Sequence, residues 1–126
     1  MNRIRAIRHG DRDRGQVALE YIGFLPFLLL VGLGGIQLGW TAYVTQQAET
    51  AARTAARVEA RYPGEGVAAG LEAISPSLVA GADIPPPEVN ADSITVTVTL
   101  TIKSVVPGIG SRPVSRTAVM PNDDPR

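Results

Sequence analysis

Side chains that perform chemistry in proteins are scarce in this sequence of 126 residues. It has no cysteine and a single histidine, His9, which lies among arginines near the N-terminus. Thiol nucleophiles, thiolate metal sites and disulfides need residues that the sequence lacks. A histidine-rich metal site and a Ser/His/Asp triad are hard to build for the same reason. We predict that the protein is not an enzyme and that it uses no metal and no cofactor.

Three acidic residues of the C-terminal half could in principle act as paired carboxylates. Asp83, Glu88 and Asp92 lie around a run of three prolines. Acid–base catalysis needs carboxylates that are held in a defined geometry. Prolines mixed with polar residues are more typical of a solvated loop. An exposed loop is therefore the preferred interpretation, and we expect no small-molecule substrate.

A long apolar stretch predicts one membrane-spanning helix. No charged residue lies between Tyr21 and Trp40, and Gln37 is the only strongly polar residue there. A helix of about twenty residues spans roughly 30 Å, which is the thickness of a bilayer core. The stretch is longer than the apolar part of a cleaved signal sequence, and no Ala-x-Ala follows Trp40. We expect a retained anchor with its transmembrane part at about residues 21–40.

The residues before this stretch are basic. Residues 1–15 contain five arginines against two aspartates, a net charge of +3. Positive charge next to the first apolar segment keeps that side of the membrane protein in the cytoplasm. We therefore predict that residues 1–15 form a disordered cytoplasmic leader and that the chain after Trp40 is extracytoplasmic. The arginines are few and interrupted by aspartates, so we expect no nucleic-acid partner.

Glu20 is a carboxylate at the entrance to the apolar stretch. An unpaired charge in hydrocarbon is costly, and the glutamate stem is short for reaching back to water. Within the sequence the nearest candidate cation is Arg14. If the chain were cut after Gly15, the new α-amino group of Gln16, on this molecule or a neighbour, could neutralise the carboxylate. The simpler alternative is that Glu20 is an interfacial residue with no special partner.

The helix is expected to continue well beyond the membrane. From Gln16 it runs to about Tyr62, where Pro63 and Gly64 end it. Its second half is rich in alanine, and a stripe of small residues follows helical spacing: Val44, Ala48, Ala51, Ala55 and Val58. We expect this stripe to pack against the outer domain of the same chain.

Three residues of the apolar half bear on helix packing. Pro26 predicts a kink, because its ring clashes with the carbonyl of the preceding turn. Gly35 and Gly39 form a Gly-x-x-x-Gly pair, which permits close contact between membrane helices.

Residues 63–126 predict a small β-rich outer domain. A short second helix is expected over 65–79, before an extended proline-rich segment. Residues 94–102 alternate between aliphatic residues and threonine, which is the clearest strand pattern in the sequence. Pro113–Met120 is expected to pair back on it, Glu88–Ala91 could add a short third strand, and the tail from Pro121 should fray. The predicted fold class is α+β, with a long N-terminal helix and a small C-terminal antiparallel sheet.

The N-terminal residues resemble a known family. Gly15, four residues and then Glu20-Tyr21 resemble the processing motif of type IVb pilins of the Flp/Tad class. The wider stretch from Arg14 to Leu30, together with the alanine/arginine run at 51–57, is similar to TadE-like proteins, the pseudopilins of the tight-adherence pilus system.

The resemblance implies a function in cell adhesion through a Tad pilus. It implies that a prepilin peptidase cleaves between Gly15 and Gln16, and that Glu20 and Tyr21 are recognition and assembly residues. It also implies a single-pass protein of the bacterial inner membrane that could reach the cell surface in the pilus, and whose partners are other pilins and the assembly platform. Major pilins of this class are very short, so an outer domain favours a minor pilin or pseudopilin. The alternative is an unprocessed, single-span protein whose outer domain binds a cell-envelope or secretion component.

Overall fold

One long helix forms nearly half of the structure, a computed structural model that describes residues 10–122. Helix α1 comprises Gly10–Arg61, 52 residues, which corresponds to roughly 78 Å at 1.5 Å per residue. Its predicted start at Gln16 is wrong, because the helix already begins at Gly10. No proline lies between these two residues to prevent the helix from starting earlier. The predicted end is confirmed: Pro63 follows, and Gly64 adopts a φ of +89° that favours glycine. The rest of the predicted leader, residues 1–9, and the end of the tail, residues 123–126, lie outside the described residues.

The predicted second helix is in fact two short helices. Helix α2 comprises Gly66–Glu72 and helix α3 comprises Pro76–Val79. The break occurs at Ser75, which is extended with a ψ of 137°. A residue that precedes proline is pushed out of the helical region by the proline ring, so a single helix over 65–79 is excluded.

A three-stranded antiparallel sheet completes the fold, in the order β1-β2-β3. Its strands are Glu88–Val89 (β1), Ser93–Ile102 (β2) and Arg112–Pro121 (β3). Strand β2 alternates between buried and half-buried residues along its whole length. Its threonines face away from the core, where the hydroxyls of Thr97 and Thr99 bond to Thr117 and Ser115 at 2.9 and 2.7 Å. The strand pattern, the hairpin pairing and the α+β fold class are confirmed.

The core lies between the upper half of α1, the sheet and α2. The predicted stripe of Val44, Ala48, Ala51 and Ala55 is fully buried, whereas Val58 is only half-buried. The buried face is wider than predicted, since Ala52 and Ala56 are also buried. Helix α1 contacts both the sheet and α2, so two adjacent rows of small residues are covered instead of one.

Two glycines let α2 lie directly against α1. A Cβ added at Gly66 would lie 2.8 Å from the carbonyl oxygen of Ala55, and one added at Gly70 would lie 3.1 Å from the Ala55 Cβ. These separations leave no room for a side chain at Gly66 and little at Gly70. The small residues of α1 thus have a matching pair of small residues on α2, which brings the outer domain close to the long helix.

Candidate membrane and assembly surface

The N-terminal half of α1 extends away from the outer domain and exposes its apolar side chains. No residue of its most apolar stretch is buried, and the helix is long and apolar enough to cross a membrane. Leu38 is 74% exposed. A core helix of a soluble protein would be covered, and an exposed apolar surface of this extent marks a contact with lipid or with another protein. The prediction of a single-pass membrane segment is supported, whereas its orientation stays a prediction.

Glu20 and Tyr21 lie on one face of this exposed helix. With Val17 and Phe24 they line a shallow concave surface, at the spacing i, i+3, i+4, i+7 that brings side chains together on a helix. Both Glu20 and Tyr21 are exposed to solvent in the isolated chain. The face therefore combines one carboxylate with aromatic and aliphatic side chains, and it is free to meet another molecule.

Arg14 is not the partner of Glu20. The two residues are six positions apart on one continuous helix, and side chains at that spacing do not face each other. Within residues 13–122, the ion pair that the structure shows joins Glu49 and Arg53, one turn apart on the upper half of α1. Arg14, the nearest candidate cation in the sequence, therefore does not pair with Glu20 in this structure.

Gly15, at the predicted cleavage point, has open space around it among the described residues. Gly15 is exposed, and a Cβ added there would meet no atom within 4 Å. The peptide bond from Gly15 to Gln16 lies in the N-terminal part of α1. Opening a helix end that packs against nothing costs little free energy, so the bond can become accessible without unfolding the outer domain.

The three predicted helix-packing residues all lie in the exposed half of α1. Gly35 and Gly39 would each accept a Cβ without any contact within 4 Å, and the side of the helix that they share is called the smooth face. Gly39 also lines a concave surface with Ser75 and Ser77 of the outer domain. Gly35 follows Tyr21 and Leu28 at seven-residue intervals, which places all three on the same side of the helix. Pro26 lies inside α1, and the bend expected there stays a prediction.

Gln37 makes a contact that the sequence analysis missed. Its Oε1 accepts a hydrogen bond from the backbone N–H of Val105 at 2.8 Å, and its Nε2 approaches the carbonyl oxygen of Lys103 at 3.5 Å. The strongly polar residue of the apolar stretch therefore points towards the outer domain. Its spacing was informative: Gln37 lies seven residues before the buried Val44, in line with the buried stripe.

Glu59 is a second residue that the sequence analysis missed. It is only 7% exposed, and its carboxylate accepts hydrogen bonds from the backbone N–H groups of Gly64 at 2.9 Å and Gly66 at 3.0 Å. Buried carboxylates require such partners. Glu59 lies seven residues after the buried Ala52, and this spacing could have predicted its burial.

The three acidic residues of the C-terminal half are spread along the sheet. Asp83 is opposite Thr99 and Glu88 is opposite Thr95, positions about 13 Å apart along a strand at 3.3 Å per residue. Asp92 is exposed and precedes β2. Among the described residues no three His, Cys, Asp or Glu side chains are placed to hold a metal ion.

A comparison with protein families identifies the N-terminal segment. A model described as TadE-like protein matches residues 15–57, roughly a third of the chain. The chain carries a TadE-like segment. The match begins at Gly15 and includes the exposed apolar helix and most of the buried alanine stripe, which confirms the resemblance seen in the sequence. The TadE-like segment supports association with a Tad pilus. No curated protein and no solved structure matches the chain.

Proposed function

We propose that the protein is a membrane-anchored pseudopilin, or minor pilin, of a Tad-type (type IVb) pilus. The observation that carries the proposal is that the family match and the exposed apolar surface of α1 start at nearly the same residue. The TadE-like segment begins at Gly15, and from Val17 onwards the structure presents apolar side chains that no other described residue covers. A segment that must enter a membrane and pack with other helices needs such a surface.

Processing by a prepilin peptidase is the first step of this function. Cleavage between Gly15 and Gln16 removes the basic leader and frees an α-amino group. The absence of contacts around Gly15 supports this step, because neither binding of the peptidase nor cleavage disturbs the core.

Glu20 then pairs with the new α-amino group of Gln16, on the same molecule or on a neighbour. Gln16 and Glu20 are four residues apart, so they lie on the same face of the helix. A carboxylate near the N-terminus of a helix is also stabilised by the helix dipole. Pairing between molecules would set the axial stagger of neighbouring helices, with Tyr21 packing beside the charge pair.

Lateral packing uses the smooth face with Gly35 and Gly39. Helices associate in membranes where small residues let their backbones approach closely. The buried stripe of Val44, Ala48 and Ala51 contacts the outer domain, whereas a Cβ at Gly35 or Gly39 meets nothing. A neighbouring helix can therefore reach this face at Gly35, whereas Gly39 lies beside Ser75 and Ser77 of the outer domain.

The folded outer domain favours a pseudopilin or minor pilin over the bulk filament subunit. In the proposed orientation the leader is cytoplasmic and the outer domain is extracytoplasmic, as the basic residues near the N-terminus favour. The protein acts by assembly and catalyses no reaction; it primes, caps or joins the pilus through contacts with other pilins and the assembly platform.

Deletion of the protein from a host that assembles Tad pili tests the proposal. We expect surface filaments, counted by electron microscopy, to be lost and to return when the wild-type chain is supplied. Filaments in normal number and length without the protein would contradict it and would favour the unprocessed anchor whose outer domain binds another envelope component. Probing sheared filaments and the inner membrane for the mature chain then shows whether it enters the filament.

A further inference from the structure

The loop between β2 and β3 lies beside the apolar helix, at the end of the outer domain nearest the membrane segment. This β2–β3 loop comprises residues 103–111. Gln37 of α1 bonds to its backbone at Lys103 and Val105. The neighbours of Gln37 in the helix, Ile36 and Leu38, are 60% and 74% exposed. The loop is therefore level with apolar side chains that the bilayer is expected to cover.

The composition of the loop matches that position. Its residues from Ser104 to Ser111 include no charged side chain, and Val105 and Ile109 project into solvent, Ile109 at 49% exposure. This uncharged stretch lies between two exposed cationic residues, Lys103 at the start of the loop and Arg112 at the start of β3. An apolar tip between two cations suits the region where acyl chains meet anionic lipid headgroups.

Some backbone groups of the loop have hydrogen-bond partners, which lowers the cost of moving them out of water. The N–H of Ile109 bonds to the carbonyl oxygen of Val106 at 3.3 Å, closing a turn with Pro107 and with Gly108 at a φ of +82°. The Ser104 hydroxyl lies 3.2 Å from both the N–H and the carbonyl oxygen of Val106. Gln37 accepts from the N–H of Val105.

We propose that the β2–β3 loop is a second membrane contact, which enters the interfacial region of the bilayer and is held at that depth by Gln37. The outer domain then rests on the lipid surface and is fixed in its tilt relative to the anchor helix. This inference rests on the membrane anchoring in the proposed function, and not on processing or pilus assembly.

The absence of cysteine from the sequence makes a depth measurement direct. The full chain with Ile109→Cys is labelled with a polarity-sensitive fluorophore and reconstituted in phosphatidylcholine/phosphatidylglycerol vesicles. Lipids with a spin label close to the headgroup then act as quenchers. We expect a blue-shifted emission and a loss of fluorescence with these lipids, and a stronger loss as the phosphatidylglycerol fraction rises.

Two labelled variants serve as matched controls. Val119→Cys is an exposed valine position near the other end of β3, and its label should keep its water-like emission and remain unquenched. Leu28→Cys lies in the apolar half of α1, and its label should be quenched by lipids that carry the spin label deep in the acyl chain. An unquenched label at Leu28→Cys would show that α1 does not enter the bilayer. That result would contradict both the membrane anchor and the loop inference.

Quenching at Leu28→Cys without quenching at Ile109→Cys would overturn the loop inference and leave the anchor intact. A further variant tests the part played by Gln37. Gln37→Leu should reduce the quenching at Ile109→Cys, whereas Gln46→Leu, which changes an exposed glutamine on the same helix, should not. Equal quenching in both would overturn the anchoring by Gln37.

Discussion

The Oε2 atom of Glu59 accepts a hydrogen bond from the backbone N–H of Gly66 at 3.0 Å, across the turn that joins α1 to α2. The other carboxylate oxygen accepts from the N–H of Gly64 at 2.9 Å. A single buried side chain of the long helix thus holds both the turn and the start of α2. The contact fixes the outer domain at the point where the chain leaves α1.

Loss of the Glu59 carboxylate should destabilise the outer domain. Glu59→Ala leaves two backbone N–H groups without their acceptor, and we expect the free energy of unfolding to fall by about 2–4 kcal/mol. Urea denaturation of the full chain in mild detergent, followed by circular dichroism, measures the change. The exposed Glu72→Ala on α2 is the control and should change the free energy by less than about 0.5 kcal/mol. A Glu59→Ala protein as stable as the control would show that the carboxylate has no such role.

Two Gly-x-x-x-Gly pairs of the chain should respond in opposite ways to alanine. Gly66→Ala places a Cβ against the Ala55 carbonyl oxygen and the Glu59 side chain, so it should cost about 1–3 kcal/mol of stability. Gly35→Ala and Gly39→Ala meet no atom in the chain and should leave folding unchanged. The same denaturation experiment compares the three variants.

Gly35→Ala and Gly39→Ala should instead weaken assembly. An added methyl group on the smooth face keeps neighbouring backbones apart. Cross-linking in host membranes measures helix association, and counts of surface filaments measure its consequence. Gly23→Ala, another open glycine of the same helix, is the control. If the double variant of Gly35 and Gly39 assembles as the wild type does, this face is not the packing surface.

Gly15→Leu should block maturation, because the peptidase must fit a small residue beside the scissile bond. A side chain at Gly15 meets nothing in the folded chain, so misfolding is not expected to explain the loss. Immunoblots of host membranes should show the precursor accumulating, whereas Gly23→Leu should be processed. Normal maturation of the Gly15 variant would show that the peptidase does not require a small residue at the proposed cleavage site, and would contradict the proposal.

Glu20→Gln should be cleaved but should assemble poorly. The amide keeps the shape of the side chain and removes the charge that the Gln16 α-amino group would pair with. Glu20→Asp, which keeps the charge on a shorter stem, should retain part of the assembly. Filament counts, together with immunoblots of the mature chain, separate processing from assembly. Normal filaments with Glu20→Gln would show that charge pairing is dispensable.

The strand pattern and the buried stripe could be predicted because each follows from a local period. In β2 both faces are β-branched or aliphatic, so propensity and alternation agree, and Val96 and Val98 are buried as expected. The roles of Gln37 and Glu59 depend on elements distant in sequence or on the turn after the helix. Their inward orientation could be predicted only by extending the buried face of α1 in seven-residue steps, from Val44 back to Gln37 and from Ala52 on to Glu59.

The helical placement of the candidate site could be predicted from the sequence. Glu20 and Tyr21 lie in an exposed helix, as the pattern from Gln16 onwards predicts, and their roles in recognition and assembly stay predictions. Arg14 lies on a different face from Glu20 because the helix begins before it. The break at Ser75 follows from the proline after it. The close approach of Gly66 to Ala55 depends on how α2 folds back, which no local pattern specifies.

The mass of the native N-terminus tests the central claim most directly. The protein is purified from the membranes of host cells that are assembling pili and is analysed intact and after digestion. We predict a mature chain that starts at Gln16, with the precursor as a minor form. An intact chain that still starts at Met1 in such cells would contradict the account, because the amine proposed to pair with Glu20 would never form.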